Sequence, residues 1–408
     1  MRLKKEPKIE SATVRAEYAQ HVVPSYKRSA MAPVLVRGKG LRVWDADGKE
    51  YLDFGSGIAV NCLGHAHPRL AEVMQRQGGE LVHVSNIFFH PKQAELATAL
   101  VKRMGPGKMF FCNSGAEANE GMVKAARKAG SGEGRYEVIT ALNSFHGRTL
   151  GMIAASGQER LREGFGPVMP GFVYVPFNDL AAVEKAIGPQ TAAVMIEGIQ
   201  GEGGVIPATA DYLLGLRKLT KEKGVSLLMD SVQCGHYRTG RFQSYELILE
   251  KAGKKEKFLP DAVSMAKSLG AGFPIGAVWF GEKLKDVLGP GSHATTYGGT
   301  ALACAVALEI LKIIEEEKLA KNIAARGEEL KRGLAQLSGK GWVGEVRGYG
   351  GMVGVTVRGR THAEVAEALA QQGLLVVPAG SDVLRFLAPY NVSVAEIEEA
   401  VRKVEATL

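Results

Sequence analysis

The 408-residue sequence predicts an α/β protein: a large domain built on a mostly parallel central sheet, with a smaller α+β domain beside it. Three observations carry this expectation. Between about residues 68 and 300, short apolar runs ("KMFFC", "YEVITA", "AAVMIEG", "VSLLMD", "AVSMA", "IGAVWF") alternate with helical stretches such as 92–103 and 115–129, the pattern of a sheet with crossover helices. The runs are short and largely apolar, as expected of buried strands. The final third mixes short strands ("MVGVTV", "LLVVP", "VLRFLAP") with two amphipathic helices and has no such regular alternation.

Taken in order, residues 34–54 read as hairpin-like strands with turns at Gly38-Lys39-Gly40 and Asp47-Gly48. Residues 301–337 are apolar-periodic and strongly helical, with no internal Pro. The expected division is an N-terminal segment, 1–60, contributing to the small domain, a large domain at 61–300 and a C-terminal small domain at 301–408. The "KAGKKEK" stretch (251–257) reads as an exposed loop.

Composition narrows the class. A hydrophobic content of 46% with 23% charged residues is ordinary for a globular chain. The net charge of +8 is spread along the sequence without zinc-finger spacing or an RNA-binding aromatic signature, so no nucleic-acid partner is expected. Four cysteines without a CxxC pair point to reduced thiols and no metal site. No apolar run approaches the roughly 20 residues of a membrane span, and Glu6, Glu10 and Glu17 argue against a transit peptide, so a cytoplasmic protein without a membrane partner is expected.

The chemistry gathers after the strands, where open α/β sheets collect ligands. "AVSMA" is followed by Lys267 and a glycine-rich bend; the residue is either a surface lysine at a strand end or a lysine with a use. "KMFFC" leads into Asn113-Ser114-Gly115, a turn into a helix whose free N–H groups suit a phosphate, with an ordinary Ser N-cap as the plainer reading. "YEVITA" is followed by Phe145, a core aromatic or a stacking platform, and by Arg148, a surface arginine or a carboxylate clamp. "AAVMIEG" leads to Glu197, Gln200 and Glu202 on a glycine-rich loop. "VSLLMD" ends on Asp230, which either caps the following turn or answers a cation or strong donors.

Together these parts describe a pyridoxal 5'-phosphate site. Lys267 is the amine that condenses with the cofactor's aldehyde and later moves a proton. Asp230 faces the pyridine nitrogen and keeps it protonated. Ser114, Gly115 and Ala116 open the phosphate-binding helix, Phe145 and Val232 enclose the ring, and Gln233 meets its phenolic oxygen. Gly270 and Gly272 allow close backbone approach at this strand end.

In "LDFGSGIAVNCLGHAHP", "FFCNSGAEANEGMVKAAR", "SFHGRTLG", "EGIQGEGGV", "MDSVQCGHYRTGRF", "AKSLGAGFPIGA" and "TTYGGTALAC", the chain resembles the class III PLP-dependent aminotransferases of the ornithine/acetylornithine type. The resemblance runs from about residue 20 to 405. It implies fold type I of the PLP-dependent transferases and a homodimer in which Thr296 reaches the phosphate of the neighbouring subunit's cofactor. It assigns Arg385 to the carboxylate of 2-oxoglutarate and Arg148 to that of the amino donor, with Glu202 pairing Arg385 in the first half-reaction and releasing it in the second. Gly57 falls where ornithine-transaminating relatives often carry a bulky aromatic, and a glycine leaves room for an acyl group. The expected reaction is transfer of the 5-amino group of N-acetylornithine to 2-oxoglutarate, in arginine biosynthesis. Ornithine, succinylornithine, 4-aminobutyrate and succinyl-diaminopimelate are the alternative ω-amino substrates, and a non-catalytic protein on this fold is a further alternative. Two departures stand out: Ser231 follows Asp230 where the family usually has Glu, and Gly198 replaces a common Pro. A nicotinamide-dependent dehydrogenase would want GxGxxG after its first strand, which "NSGAEA" does not supply.

Overall fold

The computed structural model describes residues 9–408. At its centre is a seven-stranded sheet in the order Gly107–Cys112, Gly276–Gly281, Ala262–Met265, Ser226–Asp230, Thr191–Glu197, Glu137–Ala141, Phe172–Val175. All neighbours pair in parallel except Gly276–Gly281, which runs antiparallel to both of its partners. The ten residues between Met265 and Gly276 are fewer than a parallel crossover needs, so the chain must double back there. That reversal is the glycine-rich bend after Lys267.

Both faces of this sheet are covered. Along Thr191–Glu197, Val194 and Ile196 pack with Leu96, Leu213 and Leu216 on one side. Ala193 and Met195 pack with Ala118, Met122 and Ala125 of helix Gly115–Gly130 on the other. The alternation of sides explains why all five positions from Ala192 to Ile196 are apolar. Phe172–Val175 escaped the sequence reading: it is a short edge strand, half-buried at three of its four positions, and its signal is correspondingly weak.

The helical segment 301–337 forms two helices, Ala301–Glu316 and Leu319–Ala335. They part at Lys318, whose left-handed backbone (φ 55°) no uninterrupted helix accepts. The second helix packs with Val394–Glu405 and an antiparallel sheet of Val343–Tyr349, Met352–Val357, Val383–Phe386 and Val377–Ala379. The N-terminal strands Leu35–Lys39, Arg42–Asp45 and Glu50–Asp53 join the C-terminal part directly, because Leu374–Leu375 pairs in parallel with Glu50–Asp53. Among the described residues, no helix is long and apolar enough to cross a membrane.

Candidate active site

A cavity of about 380 Å³ opens at the carboxyl ends of the central strands. That is within the range of small-molecule sites, roughly 300–1,000 Å³. Its walls bring together Ser114, Gly115, Ala116, Phe145, Arg148, Asp230, Val232, Gln233 and Lys267, nine positions drawn from four separate loops.

Asp230 is 4% exposed, and its carboxylate is fully engaged. Oδ2 accepts hydrogen bonds from Asn119 Nδ2 (2.7 Å) and meets His146 Nδ1 at 2.8 Å, while Oδ1 accepts from the Val232 amide at 3.0 Å. Asn119 and His146 are therefore direct partners of Asp230 that the sequence does not single out. Both sit inside quoted motifs, but only tertiary contact marks them. Glu197 lies beside Asp230 in register on the next strand, with Phe145 N–H and Gly201 N–H donating to its two oxygens at 3.3 Å each. Burial, reinforced by the Asp230 charge, pushes its carboxyl well above the usual range.

Lys267 projects from a left-handed position (φ 46°) directly after the buried strand Ala262–Met265. Strain of this kind persists where the surroundings fix it, and it concentrates at functional sites. Burial pulls its amine down to about 8, against the opposing pull of Glu202. A lysine at that value is a competent nucleophile and proton carrier near neutrality.

At the start of helix Gly115–Gly130, the Ser114 hydroxyl accepts from Glu117 N–H at 3.2 Å, the expected N-cap. The Gly115 and Ala116 amides are among the first-turn donors that lack intrahelical partners. A Cβ on Gly115 would lie 2.6 Å from Val232 Cγ1, and one on Gly147 would lie 2.7 Å from Ala116 Cβ. The cradle is thus shaped for backbone approach. A buried carboxylate with fixed donors, a depressed lysine, an aromatic wall and a helix N-terminus are the parts that pyridoxal phosphate requires, and these residues fit it.

Beyond the cavity lining, Arg385 is 1% exposed and donates through Nη1 to Glu202 Oε1 at 2.6 Å and to Gln233 Oε1 at 2.9 Å. Burial raises Glu202, but the Arg385 charge prevails and holds its carboxyl below the ordinary value. The Glu202 carbonyl accepts from Gly380 N–H, and Gly204 two residues on is gripped by the Arg347 guanidinium, so the loop is anchored at both ends. Arg148 is exposed and lies 5.6 Å from the Phe145 ring centroid. Thr296 and Gly57 are not part of the cavity wall. Thr296 is exposed in a separate groove beside Ile87 and Phe89. Gly57 is exposed within a turn, 56–59, in which Ser56, Gly57, Ile58 and Ala59 all have positive φ, 45–63°. The left-handed backbone costs a non-glycine residue about 1–2 kcal/mol. His236 is buried against the Tyr237 and Phe242 rings, and burial pulls it down to about 3. At Gly198 a Cβ would fall 2.2 Å from Ser244 Oγ, so this departure from Pro belongs with local packing. Nothing in the structure explains Ser231, whose buried hydroxyl has no partner.

The sequence model described as "Aminotransferase class-III" matches residues 25–408. The acetylornithine aminotransferase of Caldanaerobacter subterraneus subsp. tengcongensis is 42% identical over 393 residues, covering 95% of this chain and 97% of that protein. Its counterpart from Methanocaldococcus jannaschii is 43% identical over 376 residues, covering 91% and 92%. Among solved structures, the ornithine aminotransferase of Toxoplasma gondii superposes with a TM-score of 0.91 at 33% identity, covering 98% of this chain and 95% of that one. The acetylornithine aminotransferase of Elizabethkingia anophelis superposes with a TM-score of 0.83 at 30% identity, covering 97% of each. The chain belongs to the class-III aminotransferases, enzymes of PLP-dependent transferase fold type I that work with pyridoxal 5'-phosphate.

Proposed function

We propose that this enzyme transfers the 5-amino group of N-acetylornithine to 2-oxoglutarate, giving N-acetylglutamate 5-semialdehyde and glutamate. The observation that carries this reading is the ion pair of buried Arg385 with half-buried Glu202, beside Gln233 and Lys267, together with the uncommitted Arg148. A ω-amino donor presents its distal amine, whereas glutamate presents its α-amine, so one pocket must hold carboxylates at two places. Arg148, exposed and without a carboxylate partner among the described residues, suits the donor's α-carboxylate. Arg385 serves 2-oxoglutarate once Glu202 lets it go. The relatives named acetylornithine aminotransferases support the same donor.

Pyridoxal phosphate, when bound, supplies the aldehyde that accepts the amino group and an electron sink for the carbanion formed at the substrate carbon. Asp230, with Asn119 and His146 donating to it, fixes a negative charge for the pyridine nitrogen. Lys267 would anchor the cofactor through its amine, and the free amine would hold and return the substrate carbon's proton. Ser114, Gly115 and Ala116 would receive its phosphate, Phe145 and Val232 would keep water from its ring, and Gln233 would hold its phenolic oxygen. The open Gly57 leaves space for the donor's acyl group.

The groove carrying Thr296 continues into Ile87, Phe89 and the neighbouring Phe88 and Tyr297, which are 81%, 106%, 63% and 64% exposed. An apolar surface of this kind supports a homodimer in which Thr296 contacts the partner's cofactor phosphate. The four free, buried cysteines support a reducing, cytoplasmic setting.

The test is a half-reaction titration. N-acetylornithine is expected to bleach the cofactor's visible band quickly, and 2-oxoglutarate to restore it. Faster bleaching by ornithine, 4-aminobutyrate or succinyl-diaminopimelate would move the substrate to that amine.

A further inference from the structure

Arg238 is a fully buried guanidinium that the chemistry above does not use. Its hydrogen bonds go to three carbonyls and to no carboxylate: Nη1 donates to Gly351 O (3.2 Å) and to Ala388 O, and Nη2 to Ala59 O (3.1 Å). The three acceptors belong to three segments. Ala59 ends the left-handed turn 56–59, Gly351 sits in the hairpin between Val343–Tyr349 and Met352–Val357, and Ala388 lies three residues after Arg385. The Tyr390 ring covers the guanidinium at 4.8 Å, and its hydroxyl donates to His236 O at 2.7 Å.

Burying a charge without a counter-charge is costly, and a neutral donor could satisfy any one of these carbonyls at less expense. What a guanidinium adds is a rigid fork able to engage several acceptors at once in fixed geometry. The turn it holds is strained, with positive φ at four consecutive residues. Asp53 grips the other end, its Oδ1 accepting from Gly55 N–H and Ser56 N–H at 3.0 and 2.9 Å. The turn and the Arg385 strand are in contact: Leu387 N–H donates to Phe54 O at 2.6 Å, and Val377, the strand partner of Arg385, would crowd a Cβ on Gly55 at 3.0 Å. Val60, next after the turn, is part of the cavity wall.

We propose that Arg238 is a positioning residue, which by clamping Ala59, Gly351 and Ala388 sets the strained turn 56–59 and the Arg385 strand at a fixed spacing beside the substrate cleft. The proposal rests on the substrate reading only in taking Arg385 as a carboxylate-binding group.

The test uses the full-length, cofactor-loaded enzyme. Arg238→Met keeps the stem's bulk and removes the fork. Amide exchange in peptides covering 53–63 and 383–392 is expected to accelerate together by about tenfold or more, with the central sheet unchanged. KM for 2-oxoglutarate and for the amino donor is expected to rise about tenfold, with kcat within about threefold. Arg238→Lys keeps the buried cation but offers a single point in place of the fork, and is expected to leave both KM values raised. A lowered melting temperature with exchange and KM unchanged would overturn the proposal. So would full recovery of both KM values in Arg238→Lys, since a cation alone would then suffice. If the methionine variant fails to fold, the lysine variant carries the same two readouts. The exchange arm contains no substrate, so a wrong donor assignment would surface in the wild-type titration and leave this result standing.

Discussion

The environment of Lys267 makes a quantitative prediction. An ordinary lysine at 10.5 is about 0.1% neutral at about pH 7.5, whereas one at about 8 is roughly a quarter neutral, a gain on the order of 200-fold in reactive amine. Burial supplies the downward push, and Glu202 is the strongest opposing influence. Glu202→Gln removes that support and leaves the Arg385 charge unopposed, so the amine falls further. The assay is the rate at which the cofactor-free protein takes up pyridoxal phosphate, followed through its visible absorbance from neutral to alkaline pH. The wild-type rate is expected to level off near pH 8, and that of Glu202→Gln below it. The same shift acts on stability. Between about pH 8 and 10.5 the unfolded chain still holds a proton that the folded chain has released, so cofactor-free stability rises with pH across that window, by up to about 3 kcal/mol. A wild-type rate still climbing past pH 10, or an upward shift in Glu202→Gln, would mean that the lysine is solvated and the reasoning wrong.

Two further substitutions test neighbouring parts of the site. Arg148→Ala removes an exposed side chain, so stability should stay within about 0.5 kcal/mol. Donor KM should rise about tenfold, consistent with about 1.5–3 kcal/mol for a charged hydrogen bond, while the 2-oxoglutarate KM barely moves; equal changes in both would deny the two-clamp division. Gly115→Ala places a Cβ 2.6 Å from Val232 Cγ1 and 3.0 Å from its Cγ2. Overpacking of about 1–3 kcal/mol should lower the melting temperature and weaken pyridoxal phosphate retention about tenfold. Unchanged retention by equilibrium dialysis would show that Val232 has room to yield.

What the sequence discloses about this protein depends on how local each requirement is. Lys267 and Asp230 are visible because a charged residue ending an apolar run is anomalous on its own. The reversal after Lys267 was likewise available in the ten-residue spacing, although the reading registered only a largely parallel sheet. Asn119 and His146 were hidden, since neither is unusual in a helix or a loop, and they acquire a role only by converging on Asp230 from 111 and 84 residues away.

The turn at 56–59 marks the far end of this scale. Nothing in "GSGIAVN" forecasts positive φ at Ile58, a β-branched residue that disfavours it. The conformation is imposed by Asp53 three residues before Ser56 and by Arg238, 179 residues beyond Ala59. A glycine at 57 therefore does two things, of which composition reveals one. Its exposed side lets an added Cβ lie in ordinary contact with Asn61 and Val60 at 3.5 Å, and it takes the left-handed position at φ 63° that a bulkier residue would strain further. Replacing it should thus disturb the backbone carried by Arg238 as well as the donor's acyl space, and loss of N-acetylornithine turnover in such a variant would not by itself prove that the acyl group sits there.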